Sequence, residues 1–80
     1  MATDDDNRPD PRKYRQIADE VRNLITSGKI AVGKPAPSIT ELVEQHGCAR
    51  QTAAKALRML VDEGLLTRYP GFGYYVTKAD

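Results

Sequence analysis

Few side chains in this 80-residue sequence are equipped for chemistry, and their grouping narrows what that chemistry is. A single cysteine, Cys48, and a single histidine, His46, cannot supply the four ligands of a structural zinc site, and one cysteine closes no internal disulfide. No nucleophile–base pair is visible either, so catalytic residues, metal ligands and cofactors are not expected. What remains is a set of donors and cations. Arg50, Gln51, Thr52 and Lys55 crowd together, with the hydroxyls of Ser38 and Thr40 upstream and Arg68 downstream. Such groups bind phosphate oxygens and base edges. The chemistry is recognition.

The charge distribution agrees. Twelve Lys/Arg against eleven Asp/Glu give a net charge of +1, but Asp4, Asp5, Asp6 and Asp10 stand in the first ten residues with only Arg8 opposing them. Beyond residue 10, eleven basic residues face seven acidic ones, a unit of +4 compatible with a polyanionic partner. With 40% hydrophobic and 29% charged residues the balance is that of an ordinary globular domain, and the length allows one domain with a small core. No apolar stretch approaches the ~20 residues needed to span a bilayer, and MATDDDNRPD has no signal-peptide apolar region. A cytoplasmic, nucleoid-associated location and no membrane partner follow as expectations.

The elements that must position these residues are legible from periodicity. Residues 1–10 read as a flexible acidic arm, after which Asp10 offers a helix cap and Pro11 suits the first helical position. Tyr14, Ile17, Ala18, Val21, Leu24 and Ile25 recur at helical spacing, predicting a first helix over 11–27 with Gly28 as its left-handed cap. Gly33, Pro35 and Pro37 forbid continuation, leaving an extended connector with a very short strand at residues 34–36. Ser38 and Glu41 form a capping-box pattern, and Ile39, Leu42 and Val43 give a short second helix that stops at Gly47. A third helix is expected from Ala49 or Arg50 to just before Gly64. Its inward face reads Ala53, Ala56, Leu57, Leu60 and Val61; its outward face reads Gln51, Thr52, Lys55, Arg58 and Asp62. LLTRY and YYV, separated by PGFG, then predict a hairpin with a type II turn at Pro70–Gly71. The fold class is mainly α with a small β-hairpin (α+β), in the order α-(β)-α-α-β-β, with the domain over 11–77 and a tail at 78–80.

Val43, Gly47 and Ala53 are spaced as two helices crossing closely through a tight turn require, the helix-turn-helix arrangement. The hairpin that follows makes it a winged one. The segments YRQIADEVRNLITSGKI, GKPAPSITELVEQHGCARQTAAKALRMLVDEGLL and GFGYYV carry a more specific resemblance. Over residues 14–76 the chain resembles the N-terminal DNA-binding domain of the GntR family of bacterial transcription regulators. Pro37, Ser38, Glu41, Leu42, Gly47, Arg50, Thr52, Ala56, Leu57, Leu60, Glu63, Gly64, Leu65, Gly71, Gly73 and Val76 match the family pattern in order.

Departures fall on the binding surface. Thr40, Ala54 and Phe72 stand where the family commonly has basic residues, while Arg50, Thr52 and Lys55 are retained. Val43 and Ala53 exchange sizes relative to the family's usual alanine and valine, a swap that conserves volume. Several residues also admit plainer roles: Ser38 as a cap, Gln51 and Thr52 as first-turn polar residues, Lys55 as a solvated lysine. Cys48 reads as a small buried hydrophobe and His46 as a residue serving the helix dipole or solvent.

The resemblance implies a transcriptional regulator, a repressor, that binds double-stranded DNA sequence-specifically, with the third helix in the major groove and the wing in the minor groove. Family members usually carry a larger C-terminal domain that binds an effector and dimerises. The chain is therefore either part of such a regulator or a free-standing small member, and a small-molecule effector is expected only in the first case. Self-association is expected on paired DNA half-sites. The alternative reading is a winged-helix protein-interaction module that uses Phe72 and has weak or no DNA binding.

Overall fold

Pro11, whose ring presets a helical φ and whose missing N–H costs nothing in a first turn, begins helix α1 (Pro11–Thr26). The computed structural model describes residues 11–78, so the expected acidic arm, its Asp10 cap and the last two tail residues lie outside the described residues. Ile17, Ala18, Val21 and Ile25 are buried along α1 at the anticipated spacing, with Tyr14 packed at the edge of the core. The chain leaves α1 through Gly28 at φ 86°. Its N–H bonds to Ile25 O at 3.1 Å, and Ile30 N–H reaches back to Leu24 O at 3.0 Å, so terminal carbonyls of the helix are satisfied.

The connector shortens the strand expected at residues 34–36 to one antiparallel bridge, Pro35 to Tyr75. Proline cannot donate to a ladder, and the bonds come from its neighbours: Val76 N to Lys34 O at 2.9 Å and Ala36 N to Tyr74 O at 2.8 Å. Helix α2 (Ile39–His46) opens on the full capping box. Glu41 N–H donates to Ser38 Oγ at 3.0 Å, and Ser38 N–H donates to Glu41 Oε1 at 2.8 Å. Helix α3 (Arg50–Asp62) follows after Gly47–Ala49. It ends where Gly64 turns left-handed at φ 84°, with Gly64 N–H on Val61 O and Leu65 N–H on Leu60 O. That pair of bonds is a Schellman stop.

Strands β1 (Leu66–Tyr69) and β2 (Gly73–Val76) pair antiparallel with Leu66 opposite Val76 and Arg68 opposite Tyr74. Alternation therefore sends Leu66 and Val76 into the core and Thr67 and Tyr75 to the outer face. Core residues from all three helices, the connector and the hairpin form one cluster, in which Ile17, Ile25, Leu42, Leu57 and Leu60 are the largest fully buried side chains. No helix among the described residues is long and apolar enough to cross a membrane.

One polar tie fastens the two longest helices. Arg22 of α1 forks onto Glu63, just past α3, at 2.9 and 2.6 Å, and also reaches Asp19 at 2.5 Å. The hydrogen bonds from Arg22 hold the Glu63 carboxyl below its usual range against a smaller opposing effect of desolvation. A carboxylate depressed in the folded state stabilises above its unfolded pKa, and that contribution is lost as pH falls through the folded value. Glu63→Gln should therefore cost about 0.5 kcal/mol at neutral pH, the scale of a solvent-screened pair. Thermal melts of parent and variant should converge as pH drops below the ordinary carboxylate range. A gap that persists or widens in acid would contradict this assignment.

Candidate nucleic-acid interface

The turn between α2 and α3 sets the direction of every candidate side chain on α3. Gly47 adopts φ 63° and its N–H closes α2 on Val43 O at 2.8 Å. Ala49, extended at φ −70° and ψ 154°, then starts α3 without a side-chain cap. Its carbonyl accepts from Thr52 N and Ala53 N at 3.1 and 3.2 Å. Cys48 lies partly buried in this turn with Sγ 3.9 Å from Leu42 O, in keeping with a packing role. His46 does not simply face solvent: its Nε2 lies 2.7 Å from Glu20 Oε1 of α1, close enough for an ion pair yet outside hydrogen-bond geometry.

The inward face of α3 consists of Thr52, Ala53, Ala56, Leu57 and Leu60. Thr52 thus departs from its expected outward position, with only 2% of its surface exposed. The physical reason is helical phase: Thr52 lies four residues before Ala56 and eight before Leu60, inside the buried stripe. Its polarity suggested the surface; its spacing put it in the core.

Arg50, Gln51 and Arg58 are exposed. Arg50 Nη1 donates to Thr40 Oγ1 of α2 at 3.3 Å, so two of the expected site residues are brought together across the turn. Lys55 is half-buried on the opposite flank, its Nζ 5.7 Å from the centre of the Tyr14 ring at the start of α1. Ser38 is exposed with its hydroxyl engaged in the capping box.

A groove of about 460 Å³ runs between α3 and the hairpin, lined by Ile39, Ala54, Arg58, Arg68, Tyr69, Gly71, Gly73 and Tyr74. Two arginines therefore line the same channel, one from the helix and one from β1. Arg58 was not among the expected contacts, although it shares a helical face with Gln51 and Ala54 at seven- and four-residue spacing. Ala54, where a basic residue is common in the resembled family, leaves the channel open. At the far end of the hairpin Phe72 N–H bonds to Tyr69 O at 2.8 Å, with Gly71 at φ 85°, as the type II turn requires. Phe72 itself is 79% exposed.

Comparison with known proteins places this geometry. Residues 13–76 match the family model described as bacterial regulatory proteins, gntR family. The chain is 42% identical over 65 residues to the HTH-type transcriptional repressor NagR of Bacillus subtilis, covering 81% of this chain and 27% of that protein. It is 40% identical over 63 residues to the mannosyl-D-glycerate transport/metabolism system repressor MngR of Escherichia coli, covering 79% and 26%. The chain thus spans about a quarter of the length of these curated relatives. Among solved structures, the DNA-binding domain of AraR in complex with operator ORR3 superposes with a TM-score of 0.79 at 38% identity, over 81% of this chain and 78% of that one. BusR of S. agalactiae bound to its busAB-promoter DNA gives 0.76 at 31% identity, over 84% and 33%.

The turn geometry generates a direct test. Gly47→Ala meets no atom within 4 Å, so its cost is that of a left-handed backbone alone. Stability should fall by about 1–2 kcal/mol. Gly47→Asn should fall by less, since asparagine tolerates this conformation better. Denaturant midpoints at unchanged slope are the measurement; equal stability of parent and alanine variant would contradict the strained turn.

Proposed function

The chain belongs to the gntR family of bacterial regulatory proteins, and from that membership we propose that it is the double-stranded DNA-binding unit of a transcriptional repressor. The observation that carries this reading is the channel between α3 and the hairpin, with Arg58 on one wall and Arg68 on the other. A sugar–phosphate strand of a duplex fits between two such walls, because each guanidinium offers a planar fork to phosphate oxygens.

In this docking α3 enters the major groove, with Arg50 and Gln51 at its leading end reaching base edges. Arg50 is a guanine reader by the chemistry of its fork, and Thr40 holds it against α2 before DNA arrives. Lys55 lies at the flank toward Tyr14 and serves a phosphate, while Ser38 presents the start of α2 to the backbone. Arg58 joins the set as a phosphate contact. Thr52 is assigned to packing. Gly71, Phe72 and Gly73 of the wing follow the adjacent minor groove.

The function is recognition, with no catalytic step and no cofactor. A cytoplasmic location on the nucleoid follows from the partner. Paired half-sites about one helical turn apart would bring two copies together on DNA. An effector, where one acts, would bind in a part of the protein outside these residues, as the relatives' greater length allows.

Binding to random-sequence and selected duplexes across a salt series tests the docking. With ~3–5 phosphates neutralised per subunit, log affinity should fall against log salt with a slope of roughly −3 to −5. Arg50→Ala should weaken selected sites by about 1–3 kcal/mol and relax preference at one base pair. Arg58→Ala should weaken all duplexes alike and reduce the slope by about one. Lys29→Ala, beyond the end of α1, serves as the neutral control. If the parent chain shows no affinity for duplex DNA at low salt, the interface is a protein-binding one instead.

A further inference from the structure

We propose that Phe72 is an apolar wedge that enters the minor groove and unstacks one base step, so that the wing reads DNA deformability rather than charge. The inference rests on the docking above and deepens it. Phe72 is the most exposed large hydrophobic residue among those described, and it lies in the three-residue loop beyond the last strand pair, Tyr69 with Gly73. Its position is fixed. The Tyr69 to Phe72 backbone bond closes the turn at 2.8 Å, and the glycines on either side hold φ 85° and 107°.

Those glycines also clear the approach. A Cβ at either Gly71 or Gly73 would point into open space, so the ring projects with no flanking side chain to keep it off a groove floor. The minor groove of B-DNA is ~6 Å wide, which admits an aromatic ring edge-on.

Charge selects the partner. Gly71 and Gly73, which flank Phe72, line the same channel as Arg58 and Arg68, so a partner that covers the ring lies beside a basic surface. A duplex meets both demands: its phosphates face the arginines in the channel, and its stacked bases lie where the ring points. A basic residue at the tip would add a phosphate or base-edge contact. A phenylalanine adds none, and gains only by burying its ring between base pairs. Insertion of that kind kinks a duplex by about 20–90° toward the major groove, away from the wedge. The energy of unstacking is lowest at pyrimidine–purine steps, so the wing position should prefer TA or CA/TG without any hydrogen bond to them.

The experiment begins with duplexes selected from a random pool by the parent chain, labelled at both ends for energy transfer. The parent should bend its selected duplexes, and these should carry a pyrimidine–purine step at the wing position. Phe72→Ala should bind about tenfold more weakly, since the ring is no longer buried, and should leave the same duplexes straight. Phe72→Leu should keep the bend and the step preference. Phe72→Arg should recover affinity without the bend and steepen the salt slope by about one. A parent complex that is straight, or a Phe72→Ala complex bent like the parent's, would overturn the wedge while leaving the docking intact. Failure of the parent to bind any duplex would overturn both.

Discussion

The surface this chain presents depends on the burial of one face of α3. Ala53, Ala56, Leu57 and Leu60 have no exposed surface, and Thr52 almost none. Because α3 packs chiefly against α1, and also against α2 and β1, its rotation about its own axis is fixed on every buried side. Rotation by one residue would move a leucine into water and a polar residue into the core. Losing one such leucine contact typically costs about 2–5 kcal/mol, against a stability for small domains of only ~5–15 kcal/mol. The direction of Arg50, Gln51 and Arg58 is thus a consequence of packing behind them.

Polar ties act on a smaller scale and at the periphery. The Arg22–Glu63 fork joins α1 to the end of α3, and Glu20 lies beside His46 where α2 meets α1. The Arg22–Glu63 fork is partly exposed, and such screened pairs contribute about 0–1 kcal/mol. They choose among nearly equivalent arrangements of helix ends that the core has already brought together. The short contact between the Thr67 and Thr77 hydroxyls does the same across the outer face of the hairpin.

The proposed DNA-facing surface carries fewer cations than the family commonly has at the same positions. Ala54 keeps the channel beside the hairpin open, Thr40 fastens Arg50 instead of adding a second guanidinium, and Phe72 replaces charge at the wing tip. Arg58 and Arg68, on two different elements, still line one channel.

Local patterns determined most of the architecture from the sequence itself. The Ser38–Glu41 capping box, the left-handed glycines at 28, 47 and 64, the apolar stripe of α1 and the Pro70–Gly71 turn each depend on residues a few positions apart, so their signals lie in short windows. The family resemblance likewise rested on contiguous motifs. What only the tertiary structure decided were relations between distant segments and whether polarity or spacing governed a given side chain. Thr52 read as outward because it is polar, but the stripe through Ala56 and Leu60 claims it. Lys55 found Tyr14, and Arg58 found Arg68, across elements whose approach no local spacing encodes. The strand expected at residues 34–36 shrank to one bridge, held by bonds of Gly33, Lys34 and Ala36 to Tyr74 and Val76 of β2. Local chemistry fixes where helices begin and end; which of their faces meet is set by the packing of the whole core.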